Sequence, residues 1–152
     1  MDAIDLTILA LLADNARMTF SELAEQIGLS GPSTADRVRR LEERGAILGY
    51  SARIDPEALG LGLTALIAVT LRGPDDREGF LIGIAVLPEV VECHHVAGED
   101  DYVLKVHVAG TRGLETFVSD RLKALPGIAR TRTTVVLSTP LDRPLAPLLP
   151  AY

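Results

Sequence analysis

The chain has 152 residues and a formal net charge of −6, with 15 lysines and arginines against 21 aspartates and glutamates. This acidic balance argues against nonspecific coating of nucleic acid or of anionic membranes by the whole molecule. A single cysteine excludes an intrachain disulfide framework, and six aromatic residues, three tyrosines and three phenylalanines, argue against stacking platforms for single strands. No apolar run reaches the length of a membrane span, so we expect a soluble, cytoplasmic protein.

The N-terminal segment predicts two short helices. Apolar residues recur at helical spacing from Asp5 to Ala13. Thr19 and Glu22 then form a capping-box pattern ahead of a second apolar stripe, and Gly28 is typical of a helix end. The tripeptide Gly28-Leu29-Ser30 then leads directly into the next helix.

A third helix is predicted from Ser30 to Gly45, within the run SGPSTADRVRRLEERG. The Ser30 side chain can cap free backbone N–H groups, Pro32 needs no hydrogen-bond donor so early in a helix, and Gly45 supplies the stop. The narrow apolar side of this helix consists of Ala35, Val38 and Leu41. Two helices joined by a short glycine-containing turn, with a third to cover them, predict a helix-turn-helix unit.

The second helix of such a pair enters the major groove of DNA, and its N-terminal half reaches the base edges. The predicted base-contacting residues are Ser33, Thr34, Asp36, Arg37 and Arg40. Arg37 and Arg40 suit guanine, whereas Asp36 can accept from a cytosine amine or merely orient an arginine. The predicted phosphate-contacting residues are Arg39, Arg44 and Arg53.

Positive charge is concentrated around this helix. Five arginines against three acids between Ser30 and Arg53 leave that segment at +2, so the rest of the chain carries −8. This distribution would orient the molecule on a phosphate backbone. The alternative is an ordinary surface helix, on which Asp36 and Arg40 form an i,i+4 pair and the arginines are simply solvated.

The remaining chain predicts a β-rich second domain. A short strand is expected over Ala46–Asp55, with the domain boundary near Gly60, so that residues 1–60 form the first domain with a linker strand and 61–152 the second. The second domain has the order strand, helix, strand, strand, helix, strand, which predicts a split βαβ sandwich with its helices on one face of an antiparallel sheet. The expected elements are Leu63–Arg72, Asp75–Leu87, Val90–Ala97, Tyr102–Ala109, Leu114–Leu125 and Thr131–Ser138. The tail from Pro140 is too proline-rich for regular structure.

This arrangement resembles the Lrp/AsnC family of feast/famine transcription regulators. The resemblance covers nearly the whole chain. It rests on Asp5 with Ile8-Leu9, the run Leu29–Ile47, Gly98 with Asp101-Tyr102, and Pro126-Gly127 before a threonine-rich strand.

The resemblance implies an α+β fold in which a helix-turn-helix, winged-helix-like domain precedes a ferredoxin-like sandwich of the RAM or ACT type. It further implies a homodimer formed through the sheet, further assembly to octamers, and an amino-acid effector bound between dimers beside the Gly98–Tyr102 turn. No cofactor or metal is expected. The predicted DNA target is a double-stranded, pseudo-palindromic operator with half-sites about one helical turn or a multiple apart.

The acidic turn suits a zwitterionic amino acid, which needs an acceptor for its ammonium group and donors for its carboxylate. The predicted effector-binding residues are Gly98, Asp100, Asp101, Tyr102, Thr131, Thr133 and Thr134. The simpler interpretation is that Gly98 only permits a tight turn, that the acids are solvated and that Tyr102 belongs to the core.

The Cys93-His94-His95 sequence predicts packing or interface roles rather than a metal site. Strand alternation places Cys93 and His95 on one face and His94 on the other, and no second pair has ligand spacing.

Three functions remain open at this stage. The first is a transcription regulator, without enzymatic activity, whose DNA affinity or oligomeric state responds to an amino acid or a related small molecule. The second is an enzyme similar to siroheme decarboxylases, which also resemble this family, although a tetrapyrrole with carboxylates suits a positive cleft and the second domain is acidic. The third is a DNA-organising protein that needs no effector.

Overall fold

Three helices form the N-terminal part of the chain in the computed structural model, which describes residues 1–145. They are α1 Ala3–Asp14, α2 Phe20–Ile27 and α3 Gly31–Glu43. Their shared core consists of Ile8, Leu23, Val38 and Leu41, all at most 2 % exposed. Burial of one apolar stripe per helix is what stabilises so small a unit.

The predicted caps are present at the starts and ends of these helices. The Thr19 hydroxyl accepts from the backbone N–H of Glu22, whose carboxylate accepts from the Thr19 N–H in return. Gly28 ends α2 in the left-handed conformation, at φ 68°. That conformation strains residues with a Cβ, so the glycine fixes the tight turn that leads into α3.

The strand predicted over Ala46–Asp55 is wrong. Residues 46–55 contain neither helix nor strand, and Leu48 is 96 % exposed. The alternating pattern has no neighbouring strand edge to supply hydrogen bonds, and a single extended segment is not stable by itself. Within the described residues, the N-terminal unit is therefore purely helical.

The C-terminal part follows the expected βαββαβ order. Its strands are β1 Leu63–Leu71, β2 Val90–His95, β3 Tyr102–Val108 and β4 Ile128–Val135. They form one antiparallel sheet in the order β2-β3-β1-β4. Helix α4, Arg77–Ala85, crosses between β1 and β2, and α5, Thr111–Thr116, lies between β3 and β4.

One face of the sheet carries the core. The buried residues of this core are Ala65, Ile67, Val69, Phe80, Ile84, Leu87, Tyr102, Leu104, Val106, Val108, Phe117 and Leu122. Because successive strand residues point to opposite faces, β1 and β3 bury alternate side chains under the two helices. The opposite face includes Leu66, which is 40 % exposed.

Helix α5 differs from the single helix predicted over Leu114–Leu125. It begins earlier, at Thr111, and changes at Phe117 into a π-helix over Phe117–Leu122. The backbone N–H of Lys123 donates to the carbonyl of Val118, which is the i→i+5 bond of that helix type. Both Phe117 and Leu122 are buried, so the wider turn keeps two side chains five residues apart in the core.

The chain divides into two compact units. The first contains Met1–Ala52 with the segment from Leu141, and the second contains Arg53–Pro140. The boundary expected near Gly60 thus falls inside the second unit, next to a 3-10 turn at Glu57–Leu59. Residues 141–145 have neither helix nor strand, and the rest of the predicted proline-rich tail lies outside the described residues. None of the helices in residues 1–145 has the length and apolarity needed to cross a membrane.

Candidate nucleic-acid interface and ligand site

Helix α3 presents a polar face held in place by its N-cap. The Ser30 side chain accepts from the backbone N–H of Ser33, and the two hydroxyls lie 2.9 Å apart. Ser33, Arg39, Arg40 and Arg44 are exposed on this helix and at its end. Ser33 lies in the first turn of α3, whereas the exposed arginines lie in its C-terminal half and at its end. A polar and basic face of this kind suits a helix that docks in the major groove.

Thr34 does not belong to this surface. It is fully buried, and its hydroxyl donates to the carbonyl of Ser30 over 2.9 Å. The side chain thus packs inside the three-helix unit and satisfies its own hydrogen bond one turn back. The prediction of a base contact by Thr34 is wrong for this conformation, because no atom of the residue reaches solvent.

Arg37 is held by α1 rather than projecting freely. One guanidinium nitrogen donates to Asp2 over 2.8 Å and to Asp5 over 2.7 Å, and only 24 % of the Arg37 side chain is exposed. Asp2 and Asp5 also form the capping box of α1. This arrangement fixes the rotation of α3 against α1, so we assign Arg37 a positioning role instead of the predicted guanine contact.

Asp36 organises two arginines. Its carboxylate accepts from Arg39 over 2.6 Å and lies 3.0 Å from an Arg40 guanidinium nitrogen. The hydrogen bond from Arg39 is the main cause that lowers the pKa of Asp36. This geometry agrees with the predicted role of Asp36 in orienting an arginine. It also agrees with the alternative, an ordinary surface helix on which Asp36 and Arg40 form an i,i+4 pair.

Arg44 continues the basic face. It lies with Arg37 and Arg40 around a depression of about 360 Å³ at the start of α1. Arg53 is the first residue of the second compact unit, and its phosphate contact stays a prediction.

The turn between β2 and β3 closes a cavity of about 260 Å³ at one end of the sheet. The cavity is lined by Leu71, Gly73, Pro74, Arg77, His95, Asp101 and Tyr102. Asp101 is fixed there because one carboxylate oxygen accepts from the backbone N–H of Leu71 over 2.7 Å. Its own backbone N–H donates to the carbonyl of Val69 over 2.9 Å.

Tyr102 contributes a second polar atom at this cavity. The residue is 2 % exposed, and its buried hydroxyl has no hydrogen-bond partner among the described residues. Its ring stacks on His95, with centroids 5.0 Å apart, and packs against Phe80. A buried hydroxyl without a partner favours a ligand that supplies one, because an unmade buried hydrogen bond is costly.

Asp100 faces away from this cavity and has a structural role. It is 8 % exposed and accepts from the Thr70 hydroxyl over 2.9 Å and from Arg132 over 2.7 Å, with Arg130 at 3.2 Å. All these partners lie within the sheet domain itself, which leaves no free carboxylate for a ligand. The prediction that Asp100 binds effector is therefore corrected to a link between the turn and β4.

The pH dependence of folding should report this link. The Thr70 hydrogen bond, followed by the charges of Arg132 and Arg130, lowers the pKa of Asp100. A carboxyl whose pKa is lower in the folded state stabilises the fold above its unfolded pKa and loses that contribution as pH falls through the folded value. We expect urea unfolding of the wild type to lose more stability between neutral and acid pH than unfolding of Asp100→Asn. Parallel pH curves for the two proteins would contradict this assignment.

The three candidate threonines on β4 do not converge. Thr131 and Thr133 lie opposite Val69 and Ile67, whereas Thr134 lies opposite Leu66 and so occupies the other face of the sheet. None of the three is among the residues that line the cavity. The effector contacts predicted for these threonines are therefore not supported within one subunit, because β4 is separated from β3 by β1.

Sequence reasoning missed Arg77 and His95 as lining residues. Arg77 begins α4 after a 3-10 turn over Pro74–Asp76, so its position depends on how the chain turns there. His95 lies opposite Tyr102 in the β2–β3 register. The alternation of side chains along β2 was the one signal that could have indicated His95, because it places Cys93 and His95 on the same face of the strand. In the part of the chain that the structure describes, no group of three His, Cys, Asp or Glu side chains is placed to hold a metal ion.

Two family models match the chain. The AsnC-type helix-turn-helix domain matches residues 1–42, and the Lrp/AsnC ligand binding domain matches residues 64–146. The chain is 43 % identical over 139 residues to the HTH-type transcriptional regulator LrpA of Mycobacterium tuberculosis, covering 91 % of each chain.

Solved structures agree with this match over almost the full length. A transcriptional regulator of Neisseria meningitidis in complex with L-methionine superposes with a TM-score of 0.91 at 32 % identity, covering 99 % of this chain and 97 % of that one. A feast or famine regulatory protein from M. tuberculosis complexed with L-methionine gives a TM-score of 0.88 at 43 % identity, covering 96 % and 99 %. The three-helix unit and the βαββαβ sheet domain agree with these matches. The chain therefore belongs to the Lrp/AsnC family of transcriptional regulators.

Proposed function

We propose that the protein is a transcription regulator, not an enzyme, that binds a pseudo-palindromic operator in double-stranded DNA through α3 in the cytoplasm. Ser33 and Arg40 contact base edges, Arg39 and Arg44 contact phosphates, and Asp36 orients the two arginines next to it. The observation that carries this assignment is the exposed basic face of α3 on a capped three-helix core. Such a face supplies both base readout and phosphate positioning.

The effector we propose is a single amino acid bound in the turn cavity beside Asp101. This cavity carries one carboxylate, Asp101, and one guanidinium, Arg77, so these two charges complement a zwitterion. The ligand ammonium pairs with Asp101, and its carboxylate with Arg77. Tyr102 also lines this cavity, and its buried hydroxyl has no partner among the described residues. Gly98, at φ 155°, forms the tight turn that brings Asp101 there.

We further propose that two copies pair through the open face of the sheet and that such dimers assemble to octamers. Leu66 is exposed on this face, and Ala68 lies next to Val103 in the β1–β3 register. These residues form a central apolar strip with charged residues such as Lys105 and Arg132 around it, which is the distribution expected of a protein interface. Pairing would supply two copies of α3, one for each half-site of a palindromic operator.

A link between ligand and assembly follows from two adjacent residues. Asp101 lines the cavity, whereas the Asp100 carboxylate holds Arg130 and Arg132 of β4, which borders the proposed pairing face. A ligand that displaces Asp101 would therefore also displace Asp100, which links the turn to β4. Its differential affinity for two assembly states would set the regulatory response.

The test is a gel-shift titration with an operator selected from random duplexes, repeated in the presence of each of the twenty amino acids. We expect periodic protection in footprints, with half-sites about one helical turn or a multiple apart. At least one amino acid should change the operator affinity and the light-scattering mass together. Protection without periodicity would contradict the DNA-binding proposal, and an unchanged response to all twenty amino acids would leave an effector-independent DNA-organising protein.

A further inference from the structure

A second cavity lies at the other end of β3 from the turn. Its volume is about 500 Å³, and its walls include Glu89, Val108, Arg112, Phe117 and Arg121. It shares no lining residue with the cavity at Asp101. Because β3 runs from Tyr102 to Val108, the two cavities are about 20 Å apart along the strand.

Glu89 is the acidic residue in the lining of this second cavity. Its oxygen Oε1 pairs with Arg121, and its backbone carbonyl accepts from the N–H of His107 over 3.0 Å. The other oxygen, Oε2, is buried and receives no hydrogen bond from the described residues. A buried carboxylate oxygen strongly favours a donor, and Glu89 belongs to the lining of this cavity.

The wall opposite Glu89 depends on the π-helix. Arg121 lies within Phe117–Leu122, and Phe117 and Val108 are 1 % and 3 % exposed and give the cavity an apolar floor. Short π-helical segments are uncommon and occur often at functional sites, since they shift side chains that an α-helix would place elsewhere. A cavity of this size with an apolar floor and few polar groups is typical of small-molecule sites.

The charges of the cavity select the ligand class. Glu89 balances Arg121, while Arg112 is exposed and has no ion-pair partner in residues 1–145. The lining thus carries one excess positive charge. A monoanion neutralises it, whereas a zwitterion would leave it in place and bring an ammonium group beside the Glu89–Arg121 pair. The donor for Glu89 Oε2 should therefore be neutral.

We propose that this cavity binds a small hydroxycarboxylate, with the ligand carboxylate on Arg112, its hydroxyl donating to Glu89 Oε2 and its carbon chain over Phe117 and Val108. This site is independent of the amino-acid site at Asp101. It gives the regulator a second input, from a compound with the skeleton of an amino acid but without its ammonium group.

Isothermal titration of the full chain with lactate, 2-hydroxy-4-methylpentanoate and 3-phenyllactate tests the assignment. At least one of the three should bind saturably at one equivalent per subunit, and 4-methylpentanoate should bind more weakly than its hydroxy analogue because it lacks the donor for Glu89. Arg112→Ala should weaken binding of the best compound about tenfold or more, because a charge-assisted bond to its carboxylate is lost. The control is Lys123→Ala, which removes an exposed cation outside the cavity and should bind as the wild type does.

Three results would overturn the proposal. They are no binding of any of the three hydroxy acids, equal affinity of the wild type and Arg112→Ala, or loss of binding in Asp101→Asn, which would place the ligand in the turn cavity. Failure of the amino-acid proposal is a separate outcome. In that case L-leucine and the other amino acids fail to change operator binding, whereas the hydroxy acid still depends on Arg112.

Discussion

Arg40→Ala is expected to weaken operator binding about 10- to 100-fold while leaving the melting temperature close to that of the wild type. A bidentate arginine–guanine contact contributes about 1–3 kcal/mol of discrimination, which corresponds to that range of affinity. In the free protein the Arg40 side chain is 47 % exposed, and its ion pair with Asp36 lies on the surface. Exposed pairs add little to stability, so the loss should appear in DNA binding alone. The measurement is a gel shift on the selected operator, with thermal unfolding alongside.

The neighbouring arginine offers a matched comparison. Arg37→Ala removes the same side chain one turn earlier, yet Arg37 links α3 to Asp2 and Asp5 rather than facing solvent. We expect this variant to lower the melting temperature, whereas Arg40→Ala does not. Equal operator affinity for Arg40→Ala and the wild type would refute the base-reading role. An equal loss on operator and random duplex, with a smaller salt dependence, would show instead that Arg40 contacts phosphate.

Asp101→Asn should reduce amino-acid affinity about 10- to 100-fold without changing the light-scattering mass of the ligand-free protein. The asparagine retains an oxygen that can accept from the Leu71 N–H, so the turn keeps its geometry. It loses the negative charge that pairs with the ligand ammonium group, and a charge-assisted hydrogen bond contributes about 1.5–3 kcal/mol. Calorimetric titration with the amino acid that acts on the wild type measures the loss, and light scattering without ligand checks the assembly.

The matched control for this variant is Asp100→Asn. Asp100 points to Thr70, Arg130 and Arg132, away from the cavity, so its amino-acid affinity should change less than that of Asp101→Asn. Undiminished affinity in Asp101→Asn would rule out the proposed ammonium partner. A larger loss in Asp100→Asn would mean that the β4 link, not the cavity, controls ligand binding.

Local signals in the sequence were sufficient for the helical unit. Thr19, Glu22, Gly28 and Ser30 each act within one helical turn, so their caps depend on sequence spacing and not on distant packing. The β-hairpin and crossover order of the second unit was also predictable, because apolar alternation and Pro-Gly breaks separate its elements. The strand over Ala46–Asp55 was wrong for the opposite reason, since a strand needs a partner that no local pattern specifies.

The sequence was a poorer guide to the different roles of neighbouring side chains. Asp100 and Asp101 are consecutive acids in one turn, yet one holds Thr70 and two arginines of β4 and the other caps the end of β1 beside a cavity. Arg37 and Arg40 are one turn apart on α3, yet only the second is free of α1. Thr34 was assigned to DNA because its position along the helix suits a base contact, but its rotation places it in the core.

The sequence by itself determined the order of the elements, the helix caps, the basic face of α3 and the family resemblance, because these depend on residue type and on spacing over a few positions. Only the tertiary structure decided which charges are neutralised and which cavities form. It paired Arg37 with α1 and Asp100 with β4, brought Arg77 and His95 to Asp101, and set Glu89 against a π-helical turn. Ion pairs and cavities depend on contacts between elements far apart in the chain, and local patterns carry no information about those distances.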